Sequence, residues 1–173
     1  MSPLSLPLPS AGQRMQPMDP DEIAAALGAL RYEGFVHLAR PAALVNPAEL
    51  PIRALAHDNL DVRLVEALPW LIGRYPSLEW DWLVGQAVSM RLQNRLGYLV
   101  ELAVALPTRG GELTTLREVL DRLNRLRLPT EGTLCRDSMP DAERNWVRGH
   151  RSASAVHWNL LTTLTVDSLT HAA

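Results

Sequence analysis

The clearest structural pattern of the chain lies in the stretch from residue 61 to residue 106, which reads DVRLVEALPWLIGRYPSLEWDWLVGQAVSMRLQNRLGYLVELAVAL. Its apolar residues recur at intervals of three and four, which is the period of an α-helix with one buried face. Tyr75-Pro76 interrupts that period, and Ser77 is a suitable cap for a helix that follows. The stretch therefore predicts three successive helices.

Each of these helices has a predicted buried face. In chain order the faces are Val62-Val65-Leu68-Ile72, Trp80-Leu83-Val84-Ala87 and Leu92-Leu96-Leu99-Ala103-Leu106. Pro69 lies inside the first face, so we expect it to kink or split that helix. Pro107 and Gly110-Gly111 end the third helix, and a fourth is predicted from Glu112 to Arg127.

The flanking regions are less regular. Asp19-Pro20 is a good helix start, and that helix should stop at Gly28. Aromatic and aliphatic residues alternate loosely along residues 32–38 (YEGFVHL), which predicts one short strand. A helix is expected over 48–57. We expect a mainly α protein, a compact antiparallel helical bundle or short α-solenoid with one or two minor strands.

The domain organisation follows from the same pattern. Residues 1–18 are rich in proline and serine without an apolar period, so we expect a disordered tail. Residues 19–173 then form a single helical domain. Within it we distinguish a less regular part (19–58), a helical core (59–128) and a C-terminal extension (129–173).

Composition excludes several classes of protein. All 17 basic residues are arginines and the net charge is −2, so no overall field attracts nucleic acid or an anionic membrane. The apolar runs are far shorter than the roughly 20 residues of a membrane span. Prolines in the first ten residues break any signal peptide, and a single cysteine, Cys135, excludes an internal disulfide. We therefore expect a cytoplasmic protein without membrane contact.

No complete catalytic, cofactor or metal site is visible. The histidines never fall at the i+3 or i+4 spacing that places two ligands on one helical face, and no glycine-rich phosphate loop occurs. We expect neither metal nor cofactor. Cys135 with His150 or His157 and Asn159 has the residue types of a thiol hydrolase, which stays open as an alternative function.

Two groups of residues are candidates for binding. Arginines and tryptophans interleave near the C-terminus, a combination that can anchor a partner protein or stack nucleic-acid bases. This group comprises Arg144, Trp146, Arg148, Arg151 and Trp158. The second candidate is Trp82, which lies two residues from Trp80 on one helix. The two indoles should point in different directions, so one should be exposed or buried against another chain.

Four segments resemble a known bacterial family: residues 60–84 (LDVRLVEALPWLIGRYPSLEWDWLV), 92–103 (LQNRLGYLVELA), 136–149 (RDSMPDAERNWVRG) and 157–161 (HWNLL). The chain resembles the C-terminal region of AbiEi-type antitoxins, which are transcriptional regulators with an N-terminal winged helix-turn-helix and a nucleotidyltransferase toxin as partner.

The DNA-reading half departs from this pattern. DPDEIAAALG (residues 19–28) resembles the first helix of a helix-turn-helix, but the predicted strand leaves no room for a recognition helix. The resemblance therefore implies the effector half alone, a non-catalytic helical interaction module. Its implied partner is another protein, such as a nucleotidyltransferase-type toxin, or a second copy. Nucleic-acid binding by the arginine-rich group is the remaining alternative.

Gly97 lies at the centre of this resemblance. A glycine inside a helix costs about 1 kcal/mol against alanine, so something should offset that loss. We expect a neighbouring helix or strand to approach Gly97 too closely for a methyl group.

Overall fold

The computed structural model describes residues 1–107 and 113–171, with the backbone alone for residues 170 and 171. The predicted Gly110-Gly111 turn and the predicted helix start at Glu112 lie outside the described residues. The described chain is mainly helical with two short strands, which confirms the predicted fold class.

The α-helices follow one another along the chain, and their bounds are α1 (Pro20–Ala29), α2 (Glu49–Leu55), α3 (Val62–Arg74), α4 (Trp80–Ser89), α5 (Gln93–Ala105), α6 (Leu113–Arg125), α7 (Asp141–His150), α8 (Ala153–His157) and α9 (Val166–His171). Short 3-10 helices cover Pro3–Ser5, Glu33–Leu38 and Pro41–Ala43. Strands β1 (Gly132–Thr133) and β2 (Leu160–Leu161) pair in parallel, with Gly132 opposite Leu160.

Helix α5 is the centre of the core. It packs against α2, α3, α4 and α6, and its side chains are buried on more than one face, including those of Leu96, Tyr98, Leu99 and Val100. The predicted stripe was a single line from Leu92 to Leu106, and both of those end residues are only partly buried. A helix covered on several sides needs apolar residues off the stripe as well, which Tyr98 and Val100 provide.

The predicted strand at residues 32–38 is wrong. The segment forms a 3-10 helix over Glu33–Leu38, and only Phe35 within it is buried. Its turn lies against α1 at Gly28, where an added Cβ would stand 2.1 Å from the Phe35 carbonyl oxygen. Contact between the two backbones therefore decides the local structure, against the β-propensity of the aromatic residues.

Two predicted helix boundaries also differ. Pro69 does not split α3, because the helix is continuous and buried residues such as Val65 and Ile72 hold it on both sides of the proline. Ser77 does not cap α4, which begins at Trp80, preceded by Glu79 without a side-chain cap. At α1 the predictions are confirmed: the Asp19 side chain accepts from the amides of the first turn.

The N-terminal residues differ from the predicted disordered tail. Met15 and Met18 are buried in the core, and Leu4 and Leu8 pack against it. The segment before α1 therefore follows the surface of the helices instead of leaving it. A segment rich in proline and serine can follow this path because side chains of other elements form hydrogen bonds with its backbone carbonyls.

Candidate functional site

Trp146 is the most exposed aromatic residue of the C-terminal group. It lies on α7, which begins after Pro140 with acidic residues in its first turn, as suits a helix N-terminus. The indole is 55% exposed and stacks on the His150 ring, with centroids 4.1 Å apart and planes 9° from parallel. His150 Nδ1 lies 2.7 Å from the Trp146 carbonyl oxygen, which fixes the stack.

The three arginines of this group all make contacts inside the protein. Arg144 donates to the backbone carbonyls of Met139 and Asp137, at 2.9 and 2.7 Å. Arg148 and Arg151 both pair with Glu131, at 2.7 and 3.6 Å.

The pairs with the arginines affect the pKa of Glu131. Its hydrogen bonds from Arg148 hold the pKa of this carboxyl below its ordinary value. Arg148 and Arg151 therefore join the end of α7 to the segment before β1. Each of the three guanidinium groups has a partner inside the protein, although Arg151 Nε is buried without an acceptor among the described residues. Nucleic-acid binding through this group would need a row of unpaired arginines, and these arginines are paired within the protein.

Trp158 is a core residue and cannot contact a partner, which corrects its assignment as a binding residue. Its exposed fraction is 0%. The six-membered ring lies over Gly97, where an added Cβ would stand 2.3 Å from two of its carbons. The expected close approach to Gly97 is therefore present, but a side chain makes it and not a neighbouring helix or strand. The indole fills the space that the missing side chain leaves.

The N-terminal segment of the same chain covers part of Trp82. Its indole is half-buried, and Nε1 donates to the Pro9 carbonyl oxygen at 2.9 Å. Trp80 is the buried member of the pair, with its Nε1 donating to Pro76. The predicted divergence of the two indoles is confirmed, but the N-terminal segment supplies the cover.

An apolar groove of about 590 Å³ lies beside Trp146, and we call it the Trp146 groove. It lies between the start of α3, the loop after β1, α7 and the residues after β2. Its apolar lining consists of Leu60, Val62, Val65, Leu134, Met139, Trp146, Val147, Leu161 and Leu164. Charged side chains occur there too: Glu66, and Arg136 paired with Glu143.

The sequence indicates Trp146 as a candidate binding residue but gives no sign of the rest of this groove. Val62 was assigned to the buried stripe of α3, yet it is 59% exposed as the first residue of that helix. Leu134 and Met139 lie in a segment without any helical period. The groove forms only when this segment meets α3 and α7, so its residues gave no common signal along the chain.

Cys135 also lines the groove, but its thiol is sealed. The residue is 1% exposed, and burial raises the pKa of the thiol to about 11 despite the nearby Arg95 guanidinium. Its Sγ lies 3.5 Å from Arg95 Nη1 and 3.9 Å from the Ala54 carbonyl oxygen. A thiolate nucleophile requires the opposite shift of pKa.

The other members of the hypothetical thiol hydrolase have different partners. His150 stacks on Trp146, and His157 contacts Arg127 and Asn124. Asn159 donates to the Leu128 carbonyl. The structure does not bring these residues to the thiol.

Arg95, the first residue of the segment RLGYL (residues 95–99), joins three parts of the fold. Its Nη1 donates to the carbonyls of Leu55 and His57, each at 2.8 Å, and thereby satisfies the C-terminal end of α2. Its Nη2 reaches Asp137 at 3.2 Å. One guanidinium thus joins α2, α5 and the loop that lines the Trp146 groove.

Two further residues of α5 contact the C-terminal extension. Gly97 receives the Trp158 ring, and the Tyr98 hydroxyl donates to the Leu164 carbonyl. Tyr98 is fully buried, and its burial raises the pKa of the phenol. Residues 95–98 therefore position the C-terminal extension against the core, and the extension in turn forms one wall of the groove.

Among the described residues, no group of histidine, cysteine and acidic side chains could hold a metal ion. No helix in residues 1–107 or 113–171 is long and apolar enough to cross a membrane. Comparison of the chain with protein-family models, curated proteins and solved structures gives no match.

Proposed function

We propose that this chain is a non-catalytic helical protein-interaction module whose docking site is the Trp146 groove. The observation that carries the proposal is the exposure of two large apolar side chains, Trp146 and Val62, on one groove. Tryptophan is enriched among the residues that dominate binding energy at interfaces. An exposed apolar cleft with a tryptophan at its edge is more typical of a recognition surface than of a bare solvent face.

The occupant that fits is an apolar segment of a second protein that carries a basic residue. The buried side chains Val65, Leu134 and Met139 give the groove an apolar lining, and its volume accommodates several side chains. Glu66 lines the same groove half-exposed, and no ion pair with it occurs within the described residues. An arginine or lysine of the partner would find its counter-charge there.

The kind of partner follows from the family resemblance. An AbiEi-type effector half would bind a nucleotidyltransferase-type toxin in the bacterial cytoplasm, with any role in transcription depending on that complex. Arg95, Gly97 and Tyr98 each position the C-terminal extension, which forms one wall of the proposed docking site.

The experiment uses the full chain together with the nucleotidyltransferase-type protein encoded beside its gene. The two proteins are co-expressed and co-purified with the tag on this chain. Trp146→Ala should weaken the complex at least tenfold, since hot-spot truncations typically cost 2 kcal/mol or more. Val156→Ala is the matched control, because Val156 is 50% exposed but does not line the groove. It should bind like the wild type.

Three results would overturn the proposal. The first is the absence of a nucleotidyltransferase gene beside this one, which removes the antitoxin assignment. The second is a complex that Trp146→Ala leaves unchanged, which removes the groove. The third is a dimer of the isolated chain that sedimentation shows to depend on Trp146, which replaces the second protein by a second copy.

A further inference from the structure

The proline-rich residues 3–13, which we call the strap, run along the surface, beginning with the 3-10 helix Pro3–Ser5 and continuing through Pro7 and Pro9. Leu6 has φ −67° and ψ 143°, which are polyproline II values, and the two prolines that follow have φ fixed near −65° by their rings. A polyproline II helix has three residues per turn and no internal hydrogen bonds. Carbonyl groups three residues apart therefore point to the same side.

Two side chains of the folded domain receive carbonyls at this spacing. Asn46 Nδ2 donates to the Leu6 carbonyl at 2.7 Å, and Trp82 Nε1 donates to the Pro9 carbonyl at 2.9 Å. Leu6 and Pro9 are one polyproline II turn apart. Asn46 Nδ2 also donates to the Leu4 carbonyl at 3.2 Å, within the 3-10 helix, so the polyproline II spacing applies to the Leu6–Pro9 part of the strap.

The site continues beyond the prolines. Gln86 Nε2 donates to the carbonyls of Ala11 and Gln13, at 3.2 and 2.9 Å. Gln86 lies one turn after Trp82 on α4, and it is 2% exposed, as is Asn46. Buried amides held on packed elements are pre-ordered donors, which lowers the entropic cost of binding an extended chain.

These donors recognise the backbone and not the side chains of the strap. Every acceptor is a main-chain carbonyl, and only Leu4 and Leu8 pack against the core. The first buried residue of the chain is Met15, which lies after the strap. Any segment with the same conformation and a similarly spaced leucine offers the same acceptors.

We propose that Asn46, Trp82 and Gln86 form a recognition site for a proline-rich segment of a partner protein in polyproline II conformation, and that the strap occupies this site as an internal ligand. A partner segment binds by displacing the strap. The site is distinct from the Trp146 groove, so the two interactions are independent.

The absence of lysine makes the test specific. In the 173-residue chain an amine-reactive dye labels the α-amine of Met1 alone, and its fluorescence anisotropy reports whether the strap is docked. The competing probe is the synthetic peptide PLSLPLPSAGQ, which has the sequence of residues 3–13. The control peptide carries glycine in place of both prolines of the LPLP turn, which removes the preset conformation but keeps the carbonyls.

We expect the peptide to lower the anisotropy of the labelled full chain with a midpoint on the order of 1 mM, since a tethered ligand competes at millimolar effective concentration. In the full chain with Pro7→Gly and Pro9→Gly the internal ligand is weaker, so the midpoint should fall about tenfold. Trp82→Phe keeps an aromatic ring and removes the donor, so its dye should be mobile before any peptide is added. Thermal melts of both variants verify that the domain is folded.

Two outcomes would overturn the inference. In the first, the peptide displaces the strap in neither the wild type nor the Pro7→Gly/Pro9→Gly chain, so the strap is a fixed part of the fold. In the second, the glycine control peptide competes as well as the proline peptide, so the site does not select the polyproline II conformation.

Discussion

The substitution Gly97→Ala tests the contact between α5 and the C-terminal extension. An added methyl group would stand 2.3 Å from two carbons of the Trp158 ring and 2.8 Å from a third. Carbon atoms in contact are normally about 3.5–4.0 Å apart, so the ring or the helix has to move by about 1.2 Å or more. Trp158 is fully buried, so neighbouring side chains must move with it.

The magnitude follows from two opposed effects. Alanine is better than glycine inside a helix by about 1 kcal/mol. Overpacking a well-filled core costs about 1–3 kcal/mol, and the absence of free space around Trp158 places this case near the upper end. We expect a net destabilisation of about 2 kcal/mol, which lowers the melting temperature by roughly 4–8 °C for a chain of this size.

The matched control is Gly85→Ala on α4. Gly85 is also helical, but nothing lies within 4 Å of the Cβ that would be added. Only the propensity changes there, so this variant should be more stable by up to about 1 kcal/mol. Urea unfolding of the three proteins measures both effects. If Gly97→Ala unfolds at the same urea concentration as the wild type or at a higher one, the contact with Trp158 leaves room for a methyl group and does not constrain residue 97.

A double substitution locates the strain. Trp158→Phe removes the six-membered ring that the new methyl group would meet, although it leaves a cavity of its own. The lost indole Nε1 has no hydrogen-bond acceptor among the described residues, so its removal breaks no polar contact. Gly97→Ala should be neutral or favourable in the Trp158→Phe background, a coupling of about 2 kcal/mol between the two sites.

Three further predictions concern stability and reactivity. Gly28→Ala should destabilise by about 3 kcal/mol or more in urea unfolding, since the methyl group would meet the backbone carbonyl of Phe35, which cannot rotate away; an unchanged midpoint would contradict the close packing of this turn on α1. Cys135 should react with a thiol reagent at pH 8 only after denaturation, because burial raises the pKa of its thiol to about 11; stoichiometric reaction of the native protein would show that the thiol is accessible. Glu131→Gln should lower the melting temperature at neutral pH, and the difference from the wild type should vanish on acidification: the folded-state pKa of Glu131 lies below 4.5, so its stabilising contribution is present above 4.5 and is lost as the pH falls through the lowered value. A difference that persists unchanged below that range would mean that the pair with Arg148 does not depend on the charge of Glu131.

The placement of the arginines changes the meaning of the C-terminal group. As sequence, Arg144, Arg148 and Arg151 beside two tryptophans suggest a surface that binds nucleic acid or a partner. In the structure the three guanidinium groups bind Glu131 or backbone carbonyls, and the structure places only Trp146 of the two indoles on the surface. The lowered pKa of Glu131 belongs to this internal network, which holds one wall of the Trp146 groove in place.

The helices are predictable from the amino-acid sequence, because the information for them is local. The period of the apolar residues in 61–106 identified α3, α4 and α5, and Asp19-Pro20 identified the start of α1. The strength of this signal comes from residues three and four apart, which lie on one face whatever the rest of the chain does. The divergence of Trp80 and Trp82 was predictable on the same ground.

The surfaces between these helices depend on how the chain packs and cannot be predicted from local patterns. The Trp146 groove joins residues from α3, the loop after β1, α7 and the end of the chain, and no local pattern links them. The composition of the strap lacks an apolar period and therefore predicts disorder. In the structure, Asn46, Trp82 and Gln86 bind its carbonyls from positions 40 to 75 residues away. Every residue has a backbone carbonyl, so the sequence of the strap does not show which carbonyls accept hydrogen bonds. That depends on where the folded chain places the donor side chains.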